Sequence, residues 1–198
     1  LEAAVPASAD RTGAETRNAI IEAAARSFRA KGYEVATLGE IAAELNITRS
    51  AVLHHFASKQ ALLEEVVAPF ITSLDAMLDR REAAGRITPR GRRPLLIELV
   101  DVVCDHPDVS AIMAFDVAVR HQLPPTLQIE ERATRFAQIV TLTVDDPHGY
   151  TRALAAIGAI LRPVYVPPGL IDLNAPETRQ VLVDAAMAVF STAPTPPA

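Results

Sequence analysis

The densest run of hydrogen-bonding side chains at helical spacing is Thr48-Arg49-Ser50-Ala51, followed by His54-His55. A guanidinium can pair with a guanine edge or a phosphate. Ser and His can reach base edges, and an Ala methyl can meet the methyl of thymine. Set on the N-terminal part of one short helix, Arg49, Ser50, Ala51 and His54 are candidates for reading a DNA groove. Other clusters carry less. His54 and His55 are adjacent, so on a helix they point about 100° apart and cannot share one metal ion. Cys104-Asp105-His106 holds ligand types, but no second cluster repeats the spacing, and no metal or cofactor is expected. Phosphate-loop, dinucleotide-loop and nucleophile-elbow patterns are absent, and no nucleophile–base pair stands out, so no enzyme is expected. Arg80, Arg81, Arg86, Arg90, Arg92 and Arg93 lie roughly 35 Å of helix away from the first group, and read as a solvated loop.

The composition is that of a globular chain. Of 198 residues, 49% are hydrophobic and 22% charged, with a formal net charge of −5. Taken whole, that acidity speaks against a nucleic-acid partner. Its distribution weakens the objection. Residues 1–60 carry seven Lys/Arg and seven Asp/Glu, so the whole excess falls in residues 61–198. The single cysteine, Cys104, sets up no intramolecular disulfide. No apolar run approaches the roughly 20 residues that span a bilayer, and no signal peptide is visible. The expected location is cytoplasmic.

The elements that must hold these groups read as helices throughout. The boxes Thr12-x-x-Glu15 and Thr37-x-x-Glu40 open the first two, which end at Lys31-Gly32 and Leu45. Asn46 tolerates the left-handed turn that follows. Thr48 caps a helix over about 49–56, and Ser58 caps a long one to about 84, kinked at Pro69. Further helices are expected at about 94–105, 107–121, 126–144, 147–162 and 176–192. Pro94, Pro107 and Pro147 stand at first helical positions, and Asp145-Asp146 at an N-cap. The result is an all-α chain of about nine helices, with tails at 1–10 and 194–198. Residues 11–60 form a helix-turn-helix part and 61–193 the remainder. Ile41, Ala42, Leu45, Ile47, Val52 and Phe56 face inward around the turn.

Over Thr16 to Val67 the sequence resembles the DNA-binding domain of the TetR/AcrR family of bacterial transcriptional regulators. The matching residues are Ile20-x-x-Ala23-Ala24-x-x-x-Phe28-x-x-x-Gly32-Tyr33, Thr37, Ile41-Ala42, Ile47-Thr48, His55-Phe56, Ser58-Lys59 and Leu62-Leu63. Two positions depart from the family pattern. Asn46 stands where Gly is usual, and Leu53 where a phosphate-contacting Tyr is usual. The resemblance implies a homodimeric repressor bound to a pseudo-palindromic operator and released by a small molecule. It implies phosphate contacts from Tyr33, Thr37, Thr48, His55 and Lys59. It also implies a dimer interface through the last two helices, with Leu154, Ile157, Gly158, Leu161, Val181, Leu182, Ala185 and Val189 as candidates. A ligand pocket would draw on Phe70, Leu74, Met77, Val103, Met113, Val117, His121, Phe136 and Val140. With few aromatic residues and no Trp, an apolar or weakly polar effector fits better than a flat cation. The competing expectations are the same fold governed by a protein partner or by no effector, and a small all-α enzyme.

Overall fold

Four hydroxyls set four helix starts. Thr12, Thr37, Thr48 and Ser58 accept the N–H of Glu15, Glu40, Ala51 and Ala61 at 3.3, 3.2, 3.1 and 3.0 Å. In the first two, the glutamate returns the bond to the backbone N–H of Thr12 (2.7 Å) and of Thr37 (3.1 Å), closing both capping boxes. The computed structural model describes residues 12–85, 87–141, 148–166 and 169–191. The tails, Arg86, Pro147 and the Asp145-Asp146 pair lie outside these residues.

The described chain is all-α. It runs α1 (Gly13–Lys31), α2 (Leu38–Glu44), α3 (Arg49–His55), α4 (Lys59–Ala83), α5 (Arg92–Asp105), α6 (Pro107–Phe115), α7 (Val117–Gln122), α8 (Glu130–Val140), α9 (Gly149–Val164) and α10 (Pro176–Ser191). Short 3₁₀ turns occupy Pro89–Gly91 and Pro125–Leu127. α4 continues through Pro69 to Ala83 and buries Leu62, Leu63, Val66, Val67, Phe70 and Ile71 along its first half. It packs on α1, α5, α6 and α8, while α10 packs on α9 and α5.

Three expectations are corrected. The helix expected at 107–121 is two helices, broken at Asp116. There the backbone turns extended (φ −91°, ψ 102°) and the carboxylate caps α7 through Ala118 N–H (3.0 Å) and Val119 N–H (3.3 Å). An aspartate that offers its own acceptor competes with the helical carbonyl. The helix expected from 126 begins only at Glu130, because Pro124 and Gln128 are extended on either side of the 3₁₀ turn. The arginine group is a solvated loop only in part: Arg90 is exposed on the connecting turn, but four others are engaged. Arg81 and Arg80 pair with Glu98, Arg93 with Asp184 (2.8 Å), and Arg92 donates to the Val140 carbonyl (3.0 Å) and lies over the Phe190 ring. These side chains pin α4, α5, α8 and α10 together.

Asp116 also reaches another part of the chain. Gly32 takes φ 82° and ends α1, and the chain reversal aims the Tyr33 N–H at Asp116 Oδ2, 2.7 Å away. Arg29, one turn earlier, donates to Asp108 at the other end of α6 (2.6 Å) and to the carbonyls of Val164 (2.9 Å) and Val166 (3.0 Å). Replacing Asp116 by Ala strips three backbone donors of their acceptor. The expected loss is about 2–3 kcal/mol of unfolding free energy in a urea titration. Asp116→Asn, which retains a capping oxygen, should lose clearly less, and equal losses would show that the cap does not matter.

Candidate functional site

The turn between α2 and α3 hangs on one residue. Asn46 has φ 55°, the only positive value at a non-glycine position among the described residues. Its left-handed conformation brings the Ile47 N–H back onto the Ala42 carbonyl at 3.0 Å. Ile47 then packs against the core, where Ile41, Ala42, Val52 and Phe56 are buried. This is the geometry of a helix-turn-helix. It leaves Thr48, Arg49, Ser50 and His54 exposed, with Ala51 and His55 half-buried beside them. The His54 and His55 ring planes stand at 75° with centroids 5.5 Å apart.

The flanking candidates fall into two groups. Thr37 is exposed, but its hydroxyl is engaged with Glu40 Oε2 (3.1 Å) and the Glu40 N–H. Lys31, with Thr37 behind it, holds the Glu40 carboxyl below the usual carboxylate range. Tyr33, one of the expected phosphate contacts, lies largely in the core. It is 6% exposed, stands edge-on to Phe28 at 5.3 Å, and carries the Lys59 ammonium 4.4 Å over its ring. Burial, reinforced by Glu34 and Glu64, pushes its hydroxyl pKa up. Lys59 also donates to the Glu34 carbonyl (3.2 Å), so Tyr33 fixes where that ammonium sits.

The cations of this part are mostly neutralised. Arg17 pairs with Glu65 (2.8 Å), Arg26 with Glu44 (2.7 Å), Lys31 with Glu40 (2.7 Å) and Arg29 with Asp108 (2.6 Å). Among the described residues, Arg49 and Lys59 are the cations of this part with no carboxylate partner. Both flank α3.

A second feature lies among α4, α5, α6, α8 and α9. It is an apolar cavity of about 60 Å³, lined in part by the expected Phe70, Leu74, Val103, Met113 and Phe136. Four expected residues are elsewhere. Met77 and Val140 are fully buried in the core outside the cavity wall. Val117 is 53% exposed and His121 is exposed, because the break at Asp116 turns α7 away. Ser110 and Arg132 line the cavity and lie outside the expected set. Ser110 has a signal in the sequence, as a lone polar residue in the apolar run Val109 to Phe115. Arg132 carries no such signal.

On α9 and α10, Leu154 is 42% and Val181 64% exposed, and Gly158 and Ala185 are exposed beside them. Ile157 and Leu161 turn to the cavity, Val189 is half-buried, and Leu182, at 4% exposure, belongs to the core. Cys104, Asp105 and His106 go separate ways. The thiol is buried and its pKa pushed up by that burial, the carboxylate pairs with Arg179 (2.7 Å), and the imidazole meets Ser73 (3.3 Å). Among the described residues, no group of three or more His, Cys, Asp and Glu is placed to hold a metal ion.

Residues 20–66 match the family model described as bacterial regulatory proteins, tetR family. This segment belongs to the TetR family. The sequence is 34% identical over 86 residues to the HTH-type transcriptional regulator TtgR of Pseudomonas putida, covering 43% of this chain and 41% of that protein. It is 30% identical over 118 residues to the regulator BetI of Burkholderia mallei, covering 59% and 60%. The matched segments thus span between 41% and 60% of these relatives' length. The fold extends the likeness over most of the chain. The ketosteroid transcriptional regulator KstR2 of Mycobacterium tuberculosis superposes with a TM-score of 0.70 at 20% identity, covering 94% of this chain and 96% of that one. AmtR of Mycobacterium smegmatis gives 0.68 at 17% identity, covering 96% and 92%.

In this TetR-family domain Leu53 is half-buried and packs against the core, so it adds apolar contact and offers no phenol. Arg49 is left as the principal candidate reader. Arg49→Ala should weaken binding to the best DNA site by about 1–3 kcal/mol and relax the preference at one base pair, measured by competition gel shift. An equal loss on all sequences would make it a phosphate contact instead.

Proposed function

We propose that the protein is a homodimeric DNA-binding transcriptional repressor, released from its operator by a small apolar or weakly polar effector. The observation that carries this reading is the exposed face of α3. Arg49, Ser50 and His54 stand clear of the fold on a helix-turn-helix whose other cations are mostly neutralised by carboxylates. A charge left unpaired beside a groove-reading helix is free to meet phosphate or a base edge. Such a protein works where the DNA is, in the cytoplasm. No described helix is long and apolar enough to cross a membrane.

The dimer reading is supported by the uncovered apolar stripe Leu154 and Val181, flanked by the small residues Gly158 and Ala185. A Cβ added at Gly158 meets nothing within 4 Å, so the face is open for close approach. In a dimer each α3 reads one half-site about one helical turn or more from the other. The names of the similar proteins support regulation as the theme, and the cavity among α4, α5, α6, α8 and α9 supports a ligand. Its size, well below the roughly 300–1,000 Å³ of a preformed ligand pocket, requires the helices to part on binding. The same size is the observation that favours a regulator without an effector.

A gel shift and footprint on the DNA beside the gene test the central claim, with protection of a pseudo-palindrome expected and no protection overturning it. The salt dependence should be shallow. With Arg49 and Lys59 as the described cations of the helix-turn-helix part that lack a carboxylate partner, log K against log salt should slope by about −4 for the dimer. A much steeper slope would mean that the paired arginines also reach DNA. Leu154→Glu with Val181→Glu should give monomers in sedimentation analysis and abolish tight operator binding without lowering helicity. A dimer that survives both changes would place the interface elsewhere.

A further inference from the structure

Ser110 is the one buried polar residue among the described residues, 1% exposed, and it lies on the wall of the apolar cavity. Its surroundings decide what it can offer. Pro107 has no N–H, so the Val103 carbonyl at the end of α5 lacks its helical donor. The Ser110 hydroxyl fills that gap, donating to the carbonyls of Val103 (3.2 Å) and Pro107 (3.2 Å). A serine hydroxyl has one proton and two lone pairs. With the proton committed to backbone, its remaining capacity is to accept.

Arg132, the charged residue of the cavity wall, offers as little to an incoming acceptor. Its side chain is 10% exposed. Its guanidinium donates to both oxygens of Asp75 (2.8 and 2.6 Å) and to the carbonyls of Gln128 (2.6 Å) and Thr126 (3.1 Å). The fork is neutralised, and four of its five N–H groups are engaged, leaving one Nη1–H over. A ligand carboxylate entering among Phe70, Leu74, Met113 and Phe136 therefore finds a cation already matched by Asp75, and a ketone finds at most that single Nη1–H, whereas a donor finds the lone pairs of Ser110 Oγ.

From this inventory we infer that the cavity takes a small uncharged molecule, apolar in its body and donating a single hydrogen bond to Ser110 Oγ: an alcohol or a phenol. This deepens, and rests on, the reading of the cavity as the effector site. The contact falls on α6, between Asp108, which holds Arg29, and Asp116, which holds the Tyr33 N–H. Ser110 is thus both the polar anchor that selects the ligand and a point on the helix that grips α1.

Cyclohexanol, cyclohexanone and cyclohexanecarboxylate share a ring and differ in what they donate, accept and carry as charge. Titrated calorimetrically into the full chain, cyclohexanol should bind about fivefold tighter than cyclohexanone, the size of one neutral hydrogen bond. The carboxylate should give no binding. In Ser110→Ala the two neutral rings should bind equally. That variant also strips the Val103 carbonyl, so the comparison of rings on the unaltered protein stands as a test that needs no variant. A ketone that binds as well as the alcohol, a carboxylate that binds, an alcohol preference that survives Ser110→Ala, or no ring binding at all overturns the assignment. A gel shift on the same samples separates the two readings. DNA binding without alcohol preference removes the ligand class alone, and failure to bind DNA removes the regulator reading beneath it.

Discussion

The grip of α6 on α1 is the constraint on which the arrangement of the two ends of the molecule depends. Two carboxylates, at the first turn of α6 and just past its last, hold the last turn of α1 and the residue after Gly32. Asp108 takes the Arg29 guanidinium, and Asp116 takes the Tyr33 N–H. Arg29 adds the carbonyls of Val164 and Val166 at the end of α9. These bonds are charge-assisted and partly sheltered, and so are worth more than the exposed pairs elsewhere on the surface. The helix-turn-helix is therefore not carried by α4 alone. It is fixed at a second point, and two points define an orientation where one permits rotation.

The acidity of the chain acquires a structural meaning in the same terms. On the DNA-facing part, carboxylates neutralise arginines and lysines that would otherwise form a broad basic patch. Glu40 is held by Lys31 and Glu44 by Arg26. Elsewhere the excess acid serves packing. Asp75, Asp79 and Glu82 of α4 face Arg132 and Arg135 of α8 across a ladder of contacts between 2.6 and 2.9 Å. The Arg135 guanidinium is held more firmly protonated by Glu82 and then Asp79, and Glu82 is correspondingly pulled down. Its outer carboxylates, Asp79 and Glu82, are solvent-exposed, so the pairs they make with Arg135 set register between two helices more than they add stability, while the Arg132–Asp75 pair is partly buried. On the proposed reading, a low net charge around α3 would leave recognition to that helix and weaken indiscriminate attraction to phosphate.

What is legible in the sequence is local. Capping boxes at Thr12 and Thr37, hydroxyl caps at Thr48 and Ser58, and the left-handed Asn46 depend on residues a few positions apart, and each stands where its pattern puts it. The inward face of the helix-turn-helix follows from helical spacing. The break at Asp116 is not visible, because an aspartate inside an apolar run looks like a tolerated polar residue until Tyr33, 83 positions away, supplies a donor for its second oxygen. The cavity is half visible for a related reason. Periodicity finds the buried face of a helix, but whether Met77 lines a void or fills the core depends on which helix lies opposite. The charge of Arg132 suggests solvent, whereas Asp75 supplies a bidentate partner that lets it lie against apolar walls.

These features meet in α6, and its length matters. Nine residues of helix are about 13 Å long, short enough to move as one body. Ser110 and Met113 face the cavity, while Ala111 and Ile112 face the groove shared with Phe28 and Lys31 of α1. A close-packed helix has no slack by which one side could yield and the other stay. Because the cavity is small, any occupant must displace its wall, and α6 is the part of that wall anchored at both ends to α1. Displacing Ser110 carries Asp108 and Asp116 with it, and so moves the second of the two points that fix the orientation of α3. On the proposed effector reading, local sequence chemistry would act as a switch through one short helix: a proline leaves a carbonyl without a donor, a serine satisfies it from the cavity wall, and the flanking aspartates would transmit its position.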